Sequence, residues 1–119
     1  MQDFRKLQVW NKAHAMVLQV YEIAGLFPNE EKYGLTSQMR RSAMSIPTNI
    51  AEGCGRGSSL DMRRFLHIAM GSACELEYQL LLASDLKYLA SEKQQIANEA
   101  ITEIKRMLTS LIKKLKTDD

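Results

Sequence analysis

The sequence is poor in the residues that break or turn a chain. Six Gly and two Pro in 119 residues are too few for the many hairpins of a β-sandwich. The two cysteines, Cys54 and Cys74, form no CxxC pair. They exclude a disulfide framework and point to a reducing compartment. No apolar run is long enough to span a bilayer. The opening Met1-Gln2-Asp3-Phe4-Arg5 lacks the charged-then-apolar pattern of a secretory signal. The expectation is a cytoplasmic protein with no membrane partner. There is also little excess of either charge: 16 Lys and Arg against 14 Asp and Glu leave a net +2, which does not by itself argue for a polyanion. What is present is a globular composition, 45% hydrophobic and 25% charged, in a length suited to one domain over residues 1–119.

Apolar periodicity predicts four helices. The first covers about Phe4 to Leu26, with Val9, Ala13, Met16, Val17, Val20 and Ala24 in one arc, and Pro28-Asn29 ends it. The second covers Leu35 to about Glu52, with Thr36 as its N-cap and Met39, Ala43, Ile46 and Ile50 as its stripe. Pro47 lies inside it, removing one backbone donor, and predicts a kink. Gly53, Gly55 and Gly57 follow, where a helix C-terminus favours a left-handed residue. The third starts after Ser58 or Ser59 and continues to about Leu86, with Met62, Leu66, Ala69, Ala73, Leu76, Leu80 and Ala83 as its seam. The fourth begins at Ser91, where Ser91 and Gln94 have capping-box spacing. Ala97, Ile101, Ile104, Leu108, Leu111 and Leu115 follow, and Lys105, Arg106, Lys113, Lys114 and Lys116 crowd the last turns. Short connections force antiparallel neighbours, so the fold class is all-α: an up-down-up-down antiparallel four-helix bundle with helix two kinked at Pro47.

Enzyme chemistry finds no support in the pattern. No Glu or Asp has a His three residues later, as a di-iron bundle needs, and His14, His67, Cys54 and Cys74 have no zinc-ligand spacing. Gly53-x-Gly55-x-Gly57 follows a helix rather than a strand and has no closing Lys-Ser/Thr, so it is not a phosphate loop. It does lead into a helix N-terminus with Arg56 beside it, which could hold an anion. No nucleophile elbow is present. The reading is a non-enzyme without cofactor or metal.

Charge is more informative in its distribution. Arg40, Arg41, Arg56, Arg63 and Arg64 cluster on helices two and three against only Glu52 and Asp61. Guanidinium suits phosphate geometry. With no aromatic residues interleaved for base stacking, RNA or DNA binding there would be directed at the backbone. The bland alternative is a solvated basic face with ordinary ion pairs.

Phe27-Pro28, Tyr33-Gly34-Leu35-Thr36-Ser37-Gln38-Met39-Arg40-Arg41-Ser42-Ala43 and Ser45-Ile46-Pro47-x-Asn49-Ile50-Ala51-Glu52-Gly53 together form a signature. Arg56, Phe65, Ala69-x-Gly71-Ser72-x-x-Glu75-Leu76 and Gln79-Leu80 continue it, and the opening Leu7-x-Val9-Trp10 fits too. This resembles the bacterial four-helix-bundle family encoded in intervening sequences of 23S rRNA genes. The resemblance implies a ring-like homo-oligomer, typically a pentamer, with no known catalytic activity. It also implies kinship with a basic accessory subunit of a diversity-generating reverse transcriptase.

Ser45, Asn49 and Glu52 share a helix face and, with Glu75, make a polar network. Two readings of it stand: a brace for the proline kink, through Arg41, Arg56 or Gln79, or a ligand or subunit contact. Helix three is apolar nearly all round, which suggests more burial than one bundle provides. Leu7 and Leu18 on helix one, with Met70, Cys74, Leu81 and Tyr88 on helix three, are the candidate oligomer interface. Two functions compete: a homo-oligomeric nucleic-acid-binding module, and an assembly or adaptor protein whose partner is another protein.

Overall fold

The computed structural model describes residues 2–115. Lys116, placed by the sequence reading among the basic last turns, lies outside them. Four helices follow one another: α1 (Gln8–Ala24), α2 (Leu35–Gly55), α3 (Ser59–Asp85) and α4 (Ser91–Leu115). Among the described residues there is no strand.

The first helix is shorter than its periodicity suggested. Phe4–Lys6 form a separate 3-10 turn, capped by Asp3, whose carboxylate accepts the Arg5 N–H at 3.0 Å. Leu7 is extended (φ −85°, ψ 126°). The break folds Phe4 back onto Trp10, with ring centroids 4.8 Å apart.

Thr36 does not cap α2. It is the second helical residue, buried, with its hydroxyl donating to the Ala24 carbonyl at 3.5 Å. The Glu31 carboxylate accepts the Leu35 N–H instead, at 3.0 Å, from the 3-10 turn Asn29–Glu31. Tyr88 holds the other oxygen of Glu31, donating its hydroxyl at 3.0 Å. One carboxylate thus ties the α1–α2 loop to the α3–α4 loop.

Helix α2 is helical through Pro47 and on to Gly55, past the expected stop. Gly53 permits this: a Cβ there would lie 3.1 Å from the Phe65 Cβ and 3.3 Å from the Met62 carbonyl. Its absence lets α2 and α3 converge. The left-handed turn falls at Gly57 alone of the three (φ +86°). Ser58 then caps α3, its hydroxyl accepting the Asp61 N–H at 3.1 Å. At the far end of α3, Lys87 takes the left-handed position (φ 67°), and the Tyr88 N–H closes the cap on the Ala83 carbonyl at 2.9 Å. The Ser91–Gln94 capping box does not form in the expected frame. Ser91 is already helical, and Gln94 N–H donates to the Ala90 carbonyl at 3.0 Å.

Each helix packs on its chain neighbours, and α1 closes on α4, while the diagonal pairs keep their backbones farther apart. The result is an antiparallel bundle 46 × 24 × 20 Å. The four predicted stripes meet at its axis. Ala13, Met16 and Val20 pack with Met39, Ala43, Ile46 and Ile50, with Leu66, Ala69, Ala73, Leu76 and Leu80, and with Ala97, Ile101, Ile104 and Leu108, all buried. Burying each Leu, Ile or Met contributes about 1.5–3 kcal/mol.

Candidate nucleic-acid interface

Antiparallel packing sorts the charge along the bundle. At one pole meet the N-terminal halves of α1 and α3 and the C-terminal halves of α2 and α4. Two ion pairs mark the waist, Lys12–Glu103 at 3.0 Å and Lys105–Glu77 at 2.9 Å. The Glu77 hydrogen bond raises the Lys105 pKa above its ordinary value. Setting these pairs aside, the first pole carries, among the described residues, eight basic residues, Arg5, Lys6, Arg56, Arg63, Arg64, Arg106, Lys113 and Lys114, against Asp3, Glu52 and Asp61. The opposite pole carries five basic residues, Lys32, Arg40, Arg41, Lys87 and Lys93, against seven acidic ones. A near-neutral chain is therefore strongly bipolar.

The five arginines singled out from the sequence fall into two groups. Arg40 and Arg41 lie near the start of α2, fifteen residues from Arg56, or about 22 Å along the helix. Arg40 is engaged by its own chain: Nη2 donates to the Tyr21 carbonyl at 3.0 Å, and the guanidinium sits 4.8 Å from the centre of the Tyr21 ring. Its Nε is buried without a protein acceptor. Arg41 faces a groove of about 430 Å³ between α2 and α3, lined also by Gln38, Ser42, Ser45, Ser72 and Glu75.

Arg56, Arg63 and Arg64 gather at the α2–α3 turn. Arg56 and Arg64 flank the Phe65 ring at 4.9 and 5.4 Å. Each also has a neighbour on its own helix, Glu52 for Arg56 (3.1 Å) and Asp61 for Arg64 (3.6 Å). Both pairs are about half exposed, so water and salt compete for them. Arg63 instead donates from Nη1 to the Leu115 carbonyl at 3.1 Å, closing the end of α4. Lys113 and Lys114 stand exposed on the last turn of α4. The contribution of α1 and α4 to this pole was not drawn from the sequence. Its signal was present in the basic last turn of α4, but it needed the bundle topology to be joined to Arg56 and Arg64.

The Ser-Ile-Pro-x-Asn stretch forms a polar bridge. The Ser45 and Ser72 hydroxyls are 2.7 Å apart, and the Asn49 amide donates to both the carbonyl (2.8 Å) and hydroxyl (3.0 Å) of Ser45. The Ser45–Ser72 contact fastens α2 to α3 two residues before Pro47, and the Asn49 amide spans the proline within α2. Glu52 turns to Arg56, and Glu75 lines the groove, so neither takes part in the bridge. Gln79 is buried, with no protein donor on its Oε1.

Large apolar side chains remain exposed on two faces. On the outer side of α3 are Leu60, Tyr78 (59% exposed) and Leu81, with His67, Gly71 and Cys74 in the same row. Between α1 and α2 runs a groove of about 690 Å³, walled by Phe4, Trp10, His14 and Val17 and floored by Pro47, Ala51 and Gly55. Trp10 and His14 stack in parallel, 5.1 Å apart. Met44 (47% exposed) stands on its other wall. Of the residues picked as an interface, Leu18, Cys74 and Leu81 are exposed, whereas Leu7, Met70 and Tyr88 are half-buried against the bundle's own core. Burial pushes the Cys54 thiol pKa up.

Among the described residues no three His, Cys, Asp or Glu side chains gather as metal ligands, and no helix is long and apolar enough to cross a membrane. No curated protein matches the sequence. A crystal structure of a protein of unknown function from the S23 ribosomal protein family of Bacteroides thetaiotaomicron VPI-5482 is similar, at 32% identity and a TM-score of 0.82. The match covers 88% of this chain and 95% of that one. The 23S rRNA-intervening sequence protein family matches residues 5–110, nearly the whole bundle, and the chain belongs to that family.

Proposed function

We propose that the protein is a non-enzymatic, homo-oligomeric helical module, pentameric as the family resemblance implies, that binds nucleic acid by its phosphate backbone. The observation that carries this reading is the basic pole: three helix ends place Arg56, Arg64, Arg106, Lys113 and Lys114 on one end of a nearly neutral molecule. Of the arginines first considered, Arg56 and Arg64 are the ones offered to phosphates, with Arg63 supporting them. Arg40 serves the fold, and Arg41 lies at the other pole. The aromatic rings near the pole are already engaged within the chain, Phe65 by Arg56 and Arg64, Phe4 by Arg5 and Trp10, and Trp10 by His14. The contact therefore reads charge rather than base sequence.

The test is titration of the protein into fluorescent duplex and single-stranded RNA and DNA across a salt series. Affinity should fall steeply and linearly on a log–log plot as salt rises. A flat salt response, or no binding at low salt, would overturn the reading.

A second reading, a protein assembly or adaptor module such as an accessory subunit of a nucleic-acid enzyme, is favoured by the exposed row on α3 and the aromatic groove between α1 and α2. Recovery of a discrete protein partner after nuclease treatment, with the basic pole neutralised, would favour it over the first.

A further inference from the structure

We infer that the outer face of α3 on one copy of this chain seats in the α1–α2 groove of the next, with both bundles pointing the same way. The inference rests on the reading above that copies associate, and it adds which faces meet and in what direction.

The two faces are different surfaces, one a projecting row and the other a recess. On α3, Arg64, Gly71, Glu75 and Tyr78 follow one another at helical spacing on the outer side. On α2, Met44, Thr48 and Glu52 line the groove, and Arg41 continues their row at helical spacing, on the side of α2 that also faces Glu75 of its own copy. A row-against-row pair would cover α3 but leave the recess and Met44 wet. A row-into-groove junction covers both with one contact. Such a junction is head-to-tail, since each copy keeps one free row and one free groove.

Charge selects a direction, since Glu52–Arg56 and Arg64–Asp61 are half-exposed pairs that a neighbour can re-pair. Ser45 lies across from Ser72 and Gly53 across from Phe65, so α2 and α3 share one register. Glu52 then stands at the level of Arg64, and Arg41 at the level of Glu75. The two levels are eleven residues apart, or about 16 Å. A neighbour pointing the same way brings Arg64 to Glu52 and Glu75 to Arg41. A neighbour turned over brings Glu75 to Glu52 and Arg64 to Arg41, like against like at both levels. The bipolar charge of the whole bundle favours the turned-over copy. Like poles of copies that point the same way, however, stand about a bundle width apart, 20–24 Å, which is about two to three screening lengths in physiological salt. Contacts at the junction decide.

Met44→Glu spoils the groove and Tyr78→Glu spoils the row. Both side chains are already solvent-facing, and far-UV circular dichroism should show each variant folded. Sedimentation velocity at tens of micromolar should show wild type as an assembly and each variant alone as a monomer. Mixed, the two variants should give a one-to-one dimer and nothing larger, because one intact row still meets one intact groove. Glu52→Arg and Arg64→Glu should each weaken the assembly, and the double exchange should restore it. An assembly that survives Met44→Glu, or a mixture that stays monomeric, overturns the junction while leaving association standing. A double exchange that does not restore assembly overturns the direction. A monomeric wild type overturns association itself.

Discussion

Arg40 and Arg64 sit on the same helical hairpin, one at each pole, and are used in opposite ways. Arg40 turns inward, with one nitrogen on the Tyr21 carbonyl and its plane over the Tyr21 ring. Arg64 leans over Phe65 and keeps only a long, half-exposed contact with Asp61 at 3.6 Å. The first guanidinium is spent on joining α1 to α2, and the second is available to an outside anion. Arginines that look equivalent in a sequence are separated by what their own chain already supplies.

Reversing charge at the basic pole is the strongest way to break this contrast. Arg106→Glu combined with Lys113→Glu and Lys114→Glu, which leave the α3 row and the α1–α2 groove intact, should lower affinity for duplex RNA or DNA about 100-fold or more at low salt. The matching reversal at the other pole, Lys32→Glu, Lys87→Glu and Lys93→Glu, should change it by about threefold or less if phosphate contacts set affinity. Fluorescence anisotropy on the two triple variants checks this directly. A milder cut sharpens it: Arg106→Ala should reduce the log–log salt slope by about 0.7–0.9 if that side chain neutralises one phosphate.

Arg40→Ala should behave in the converse way. Loss of the carbonyl hydrogen bond should cost about 1 kcal/mol of stability in urea unfolding, with nucleic-acid affinity unchanged. The smallest effect is expected at Tyr88. Its hydrogen bond to the Glu31 carboxylate, with burial and the nearby negative charge adding to it, raises the hydroxyl pKa above its ordinary value. A raised folded-state pKa means the stabilisation is fully present below the unfolded value, about 10, and is lost as pH rises through the folded one. Ultraviolet titration of tyrosinate should show one late-titrating group, which Tyr88→Phe removes.

The helix cores were legible because apolar spacing at steps of three and four needs no partner to be recognised. Ile101, Ile104 and Leu108 could be read as a seam without knowing what they meet. Ends were less legible. Thr36 has the chemistry of a cap but is drawn inside by the Ala24 carbonyl, while Glu31, from the preceding turn, performs the capping. Gly53 and Gly55 look like a stop, yet both are helical, and Gly53 is there because α3 passes too close for a side chain. The basic pole was half legible. Arg56, Arg63 and Arg64 are near in sequence, but Lys113 and Lys114 join them only through the antiparallel closure of the bundle. The Ser45–Ser72 bridge was legible on one side: Ser45 and Asn49 share a face, and their partner across the helix interface does not show in local spacing.

The one tryptophan of the chain stands in the wall of the α1–α2 groove, stacked on His14. Its indole is half-buried, so its emission should respond to whatever displaces water from that wall. A neighbour settling there would shift the light to shorter wavelengths, and dilution would shift it back. The molecule thus carries a built-in optical gauge for occupancy of this groove, readable without any label.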